Sequence, residues 1–248
     1  MSSITLKDFI PPLLPRALRY IVRKISNNNG PHPFDCVPRN IQAKLIFDIG
    51  ANVGDVTIAA LKTYPECKVI CFEPVNTTLK TLYKNTSQYR NRVTIYSEAL
   101  SSINGDGHIN ITSFHGANSI ESQSKLHSEI CQNVKEIGKQ AVTLVRLDDI
   151  AQRFNGQKID IMKIDVEGHE YDVILGGKYF IKNNVDTIIV EASLMRDASL
   201  EKQSIIEVFS LLSEMGFRWI NAFDLHHVEN SSLMCIQMDC VFRNKLYL

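Results

Sequence analysis

The stretch KLIFDIGANVG, residues 44–54, decides how the rest of the chain is read. Its first six residues are a short, almost wholly apolar run, the pattern of a parallel strand buried on both faces. Gly50, Ala51 and Gly54 follow, small enough for the backbone to pass close to a ligand and turn tightly into a helix. Asp48 stands at the end of the strand, aimed at the crevice where α/β sheets bind ligands. A carboxylate there suits a cationic partner, such as the ammonium of a bound amino acid, and would repel a phosphate. The chain has no GxxxxGK[ST], and the turn reads G-A-N-V-G rather than G-x-G-x-x-G, so neither a phosphate loop nor a dinucleotide fingerprint fits.

Working outward, residues 54–64 carry apolar positions at helical spacing, and KVICF at 68–72 forms a second strand. A helix over 75–86 and a third strand, VTIY at 93–96, continue the alternation. IDIMKID at 159–165 with a helix over 168–181, and DTIIVEA at 186–192 with a helix over 201–215, add two more units. FRWINA at 217–222 and residues 234–244 are separated only by a short loop and read as a hairpin. The expected fold is α/β, with a mostly parallel seven-stranded sheet, helices on both faces and an antiparallel C-terminal hairpin. Residues 101–147 break the rhythm with strand-like GHINIT at 107–112 and QAVTLVRL at 140–147 around a polar stretch. They read as an insertion, or lid, over the carboxyl edge of the sheet within a domain spanning residues 41–248.

Residues 1–40 differ from that domain. Leu14, Leu18, Ile21, Val22 and Ile25 recur at helical spacing beside Arg16, Arg19, Arg23 and Lys24. The segment 4–25 is either a helix docked by its apolar face or a basic amphipathic segment at a membrane surface. Residues 27–40, rich in Asn, Pro and Gly, read as a linker. Lys plus Arg total 27, equal to Asp plus Glu, so net charge gives no pull toward nucleic acid. No signal peptide or membrane-length apolar run is visible, and the six cysteines show no CxxC, which together favour a cytoplasmic protein with free thiols.

Two further groups carry chemistry. Glu73 ends the second strand about 20 residues after the glycine turn, where an acidic ribose ligand is expected. Glu98 follows the third strand and is placed to accept a hydrogen bond from an adenine amino group, with Ala99 small enough to clear the ring. The run KIDVEGHE, residues 163–170, puts five titratable side chains directly after a strand. His169 is the first candidate for a general base, ahead of Glu167 and Asp165. Lys163 is placed to neutralise nearby carboxylates, and Glu170 reads equally as a first-turn acid favoured by the helix dipole. Asp165 and Glu191 end adjacent strands, and a metal held between them is a weaker alternative.

Taken in order, DIGANVG, FEP, EALSS, GANSI and KIDVEGHE resemble the FkbM-type methyltransferases dependent on S-adenosylmethionine (SAM), over roughly residues 41–195. The resemblance implies the class I methyltransferase fold, SAM as cofactor, and methylation of an oxygen on a sugar, glycan or natural product. By the same resemblance Asp48, Gly50, Ala51, Asn52 and Gly54 surround the methionine part and Glu73 meets the ribose. Glu98 and Ala99 fall at the adenine, and Ser119 and Asp165 on the reactive side. Alternatives are a metal-assisted O-methyltransferase, an RNA methyltransferase, which the neutral charge disfavours, and a SAM-binding regulator without catalysis. The N-terminal segment resembles leaders of enzymes acting peripherally on lipid-linked glycans at the inner membrane face.

Overall fold

A computed structural model describes residues 33–113, 118–120, 136–154, 156–193, 205–227 and 235–247. The amphipathic segment 4–25 lies outside these, as does most of the polar middle of the 101–147 insertion. Among the described residues no helix is long and apolar enough to cross a membrane.

The chain runs β1 (Leu45–Ile49), α1 (Asp55–Thr63), β2 (Lys68–Phe72), α2 (Asn76–Asn85), β3 (Val93–Tyr96), β4 (Ala99–Leu100), β5 (Gly105–Thr112) and β6 (Glu136–Val145). It continues with α3 (Leu147–Ile150), β7 (Ile159–Ile164), α4 (Glu170–Gly176), α5 (Lys178–Asn184), β8 (Val185–Ser193), α6 (Ile205–Glu214), β9 (Phe217–His227) and β10 (Cys235–Asn244). Seven strands form one sheet in the order β3-β2-β1-β7-β8-β10-β9. The pairs from β3 to β8 are parallel, and β10 is antiparallel to both β8 and β9. This is the α/β architecture expected from the sequence, and the strand reversal next to β1 opens the usual ligand crevice.

All five residues of β1 are buried, because helices cover both faces of the central strands. Phe47 packs against Phe72, Phe154 and Phe180 in one core, whereas Ile46 belongs to a second core on the opposite face with Leu61, Val69 and Leu82. Each such side chain contributes about 1.5–3 kcal/mol by leaving water. The sheet therefore stands as a rigid floor whose carboxyl ends present loops to one side.

The structure departs from the sequence reading at three places. The helix expected over 168–181 is two short helices that break at Gly177, because the Asp148 carboxylate accepts the backbone N–H groups of Tyr179 and Phe180 and starts a new helix there. The stretch expected to be a linker is partly core: residues Pro33–Cys36 form a 3-10 turn whose Phe34 is buried edge-on against Tyr64, and Val37 is buried beside it. The two strands expected in the insertion, β5 and β6, join β4 from the preceding segment in a second sheet ordered β4-β6-β5, with Ile109, Val142 and Leu144 on its apolar face, and β6 runs over Glu136–Val145 rather than 140–147.

Candidate functional site

A cavity of about 400 Å³ opens at the carboxyl edge of β1, β2 and β7. Its wall begins with the turn after β1. Gly50 has φ +80°, and a Cβ added to it would lie 1.9 Å from the carbonyl oxygen of Asp165. Only glycine lets the two turns pass this closely. Gly50 and Ala51 donate their N–H groups to the Phe72 carbonyl, at 2.9 and 3.1 Å. Asn52 adopts φ +50° and donates its N–H to Glu73 Oε2 at 2.8 Å. Asn85 donates from its side chain to the Val53 carbonyl at 2.9 Å. The turn is thus held from β2 and from α2 before any ligand arrives.

Glu73 lines the cavity and is almost fully buried. Besides Asn52 N–H, its carboxylate accepts Val75 N–H at 2.9 Å and the Thr78 hydroxyl at 2.8 Å. Burial pushes the Glu73 carboxyl above its ordinary value, against these three donors, which favour the ionised form. A carboxylate has about four lone-pair positions, so roughly one remains for a ligand. Glu98 and Ala99 also line the cavity, with Glu98 fixed by an ion pair to Arg153 at 2.9 Å.

Asp48 is not part of the lining. Its side chain is 1% exposed, behind the turn, where Oδ2 accepts the Thr57 hydroxyl at 2.5 Å. Burial pushes the Asp48 carboxyl up, opposed by the nearby Lys163 ammonium and the Thr57 hydroxyl. Lys163 sits opposite Asp48 across the β1–β7 pair and donates to Asp165 Oδ2 at 2.7 Å. Burial alone would lower the Lys163 ammonium, but Asp165, Asp239 and Asp48 outweigh it and hold it above its ordinary value.

The far wall is the 165–169 turn. Asp165, Val166, Glu167 and His169 line the cavity. Glu167 has φ +52° and Gly168 φ +106°, so a non-glycine residue is held in the left-handed region. The carboxylate of Glu170 accepts the N–H groups of Val166 and Gly168 at 3.1 and 2.9 Å. Ser119 lies outside the lining and donates its hydroxyl to the Glu167 carbonyl at 2.7 Å. The ring of His169 is buried with Nε2 3.0 Å from Ser101 Oγ and Nδ1 3.5 Å from Asp172 Oδ2. Asp165, Glu167 and Glu191 can each bring one oxygen within 4.8 Å of the others.

Of the residues singled out from sequence, Gly50, Ala51, Asn52, Glu73, Glu98, Ala99, Lys163, Asp165, Glu167 and His169 meet around one cavity, while Asp48, Gly54, Ser119 and Glu191 lie outside its lining. Sequence reading missed Asn118, Ile109 and Ile120, by which the insertion contributes to the cavity wall. The signal for Asn118 was present in GANSI. It also missed Asn85, Arg153 and Gln140, whose amide bridges the Pro74 carbonyl and the Asn76 N–H; their roles come from tertiary proximity alone.

Comparison with known proteins gives this geometry a context. The sequence profile described as the methyltransferase FkbM domain matches residues 48–219. The chain is 31% identical over 141 residues to the 2-O-methyltransferase NoeI of Sinorhizobium fredii, covering 54% of this chain and 57% of that protein. It is 27% identical over 164 residues to the methyltransferase sdnD of Sordaria araneosa, covering 53% of this chain and 59% of that protein. The matched span is less than two thirds of either relative's length. Its fold resembles a crystal structure of a methyltransferase FkbM from Methylobacillus flagellatus, with TM-score 0.51 at 14% identity over 84% of this chain and 45% of that chain. With the profile spanning more than half of the sequence, and both walls of the cavity inside the matched region, the protein belongs to the FkbM family of methyltransferases.

Proposed function

We propose that the protein transfers a methyl group from SAM to a hydroxyl of a sugar, glycan or similar polyhydroxylated acceptor. The observation that carries this reading is the make-up of the cavity: one wall is the tight Gly50–Val53 turn flanked by Asp55 and Glu73, and the other presents Lys163, Asp165, Glu167 and His169. The first wall fits an amino-acid nucleoside. Gly50 and Ala51 border the cavity with little or no side chain, and Asn52 Oδ1 is buried with no hydrogen-bonding partner among the described residues, an acceptor suited to an ammonium. Gly54 opens α1 beside it. Glu73 offers its remaining lone pair to one ribose hydroxyl, and Glu98 accepts the adenine amino group over Ala99. Asp48 acts from behind the turn, by its charge rather than by contact, and Lys163 balances it.

When bound, the cofactor supplies an electrophilic methyl on a sulfonium, so the leaving group needs no activation by the protein. The protein aligns the acceptor and removes its proton. Glu167 is the base favoured by the geometry. It borders the cavity from a backbone conformation that costs energy to hold, a feature common at functional sites. Asp165 is the second choice, since Lys163 already engages it. His169, the first choice from sequence, has Nε2 3.0 Å from the buried Ser101 hydroxyl, so the nitrogen opposite Asp172 is already engaged by the protein rather than offered to an acceptor. Ser119 acts on the reactive side through the Glu167 carbonyl.

The experiment is titration calorimetry with SAM and S-adenosylhomocysteine, followed by transfer of labelled methyl to methyl glycosides bearing a free 2-hydroxyl, the position suggested by the name of NoeI. Binding of both, with label on a glycoside oxygen, supports the proposal. No binding of either overturns it; binding with label found on nitrogen or on RNA overturns the acceptor class.

A second reading is favoured by the Asp165, Glu167 and Glu191 cluster, which has the chemistry to hold Mg²⁺ and so orient a diol. The Lys163 ammonium 2.7 Å from Asp165 occupies part of that role with a fixed charge. Turnover that survives prolonged chelation supports the metal-independent reading, and turnover lost to chelator and restored by Mg²⁺ supports the second.

A further inference from the structure

The turn that carries Asp165, Glu167 and His169 is held in an unfavourable shape by two side chains that do not themselves line the cavity. Glu167 sits in the left-handed region, which costs a non-glycine residue about 1–3 kcal/mol unless its surroundings over-determine it. Two contacts do so. Glu170, 7% exposed, turns its carboxylate back over the turn and accepts the N–H groups of Val166 and Gly168, one on each side of Glu167. Ser119, 8% exposed, donates to the carbonyl of Glu167 itself. Ser119 belongs to the insertion, where its backbone N–H and carbonyl both bond with Asn110 of β5. The kink at Glu167 is therefore gripped from α4 on one side and from the insertion on the other. On the third side the Asp165 carbonyl lies against Gly50, and the Asp165 N–H is donated to the Ile49 carbonyl.

We infer that Glu170 and Ser119 are positioning residues: together they set the backbone of the 165–169 turn so that the Glu167 carboxylate faces the acceptor, and Ser119 couples that setting to the insertion. The inference rests on the methyltransfer reading given above, but its first test does not depend on acceptor identity. A simple first-turn acid would interact with the helix dipole without regard to hydrogen-bond geometry. Glu170 instead uses its oxygen as a two-donor acceptor, and glutamine retains an oxygen able to do the same.

Backbone hydrogen exchange of the folded protein, followed by mass spectrometry with and without S-adenosylhomocysteine, separates these roles. In Glu170→Leu the Val166 and Gly168 amides exchange at least about tenfold faster, while β7 and β8 exchange as in the wild type. Glu170→Gln retains wild-type protection. Ser119→Ala loosens the same turn less, and loosens residues 105–112 with it. Calorimetry of the same variants gives S-adenosylhomocysteine affinity within about threefold of wild type, because the Asp165 contacts that join this turn to Ile49 and Gly50, and the Glu73 brace of the 48–54 turn, are kept. With any glycoside that the wild type methylates, Glu170→Leu lowers kcat at least tenfold with little change in cofactor KM, and Glu170→Gln restores it. The inference is overturned if Glu170→Leu leaves turn exchange unchanged, if Gln behaves as Leu, or if kcat per folded molecule is unaffected. Failure of the wild type to bind S-adenosylhomocysteine overturns the methyltransfer reading instead, and leaves the exchange result to decide the bracing of the turn.

Discussion

The two walls of the cavity are built on one plan and finished differently. Each leaves the end of a central parallel strand, each holds a non-glycine residue at nearly the same positive φ, +50° for Asn52 and +52° for Glu167, and each is braced by a buried glutamate accepting backbone N–H groups. The difference is the source of the brace and the character of the surface. Glu73 reaches the 48–54 turn from the neighbouring strand, so that wall is locked to the sheet. Glu170 comes from the helix that follows its own turn, and the outside help comes from the insertion through Ser119. The first wall presents Gly50, Ala51 and Asn52 with the carboxylates of Asp55 and Glu73 beside them, and the second presents two carboxylates, an imidazole and the Lys163 ammonium. A common backbone device thus shapes two walls of different composition around one cavity.

The sharpest way to break this comparison is at the point where the walls touch. Gly50→Ala places a Cβ 1.9 Å from the Asp165 carbonyl oxygen. A loss of at least about 4 kcal/mol in urea unfolding is expected, the range reserved for backbone strain and overpacking. A smaller loss would mean that the two turns can separate. Next in size, Glu167→Gln should reduce turnover by about 10²–10⁴ while leaving S-adenosylhomocysteine affinity nearly unchanged, the range for loss of a general base. If His169→Ala has that effect and Glu167→Gln does not, the reactive wall has been assigned to the wrong side chain. Glu73→Ala should do the opposite, weakening cofactor affinity by about 30–100-fold, because the donors of Asn52, Val75 and Thr78 lose their acceptor along with the ligand contact. Calorimetry against kinetics checks both substitutions.

The smallest effect is a gain. Burial holds the Asp48 carboxyl above its ordinary value in the folded protein. A carboxyl raised in this way costs stability wherever it is ionised, so the penalty is present at neutral pH and disappears as pH falls below the ordinary carboxylate value of about 3.9. Asp48→Asn should therefore raise Tm at pH 7 by a few degrees, with about 2–4 °C for each kcal/mol in a chain of this size, while cofactor affinity falls. Thermal melts from pH 7 to pH 4 should show the difference between variant and wild type closing. A variant less stable than wild type at neutral pH would assign Asp48 to the packing of the fold instead.

Sequence patterns revealed the strands more reliably than they revealed the braces. Residues 68–72 and 93–96 are bounded as the hydrophobic runs suggest, because each is a short run of mostly β-branched and aromatic residues flanked by polar turn residues. The helix break at Gly177 was invisible, since it depends on Asp148, a residue distant in the chain. The glycine turn and Glu73 were legible as neighbours at the carboxyl edge because both sit where a strand ends, and both border the cavity there. Glu170 was legible only as an acid near a helix start, since nothing in KIDVEGHE shows that its carboxylate folds back over Val166 and Gly168. The same limit applies to His169: its residue type suggests a base, and its two ring neighbours are known only once Ser101 and Asp172 are in place.

The position of β10 between β8 and β9 carries a consequence for synthesis. β9 emerges before β10 but, among the described residues, pairs with that strand alone, so its seat in the sheet waits for the later strand. The parallel strands β3 to β8, with both turns of the cavity, can pair earlier. During that interval the outer edge of β8 is an open template for another chain. Completion of β10 closes that edge and seats β9 in one step, so aggregation during production should depend on how long translation pauses between residues 193 and 244.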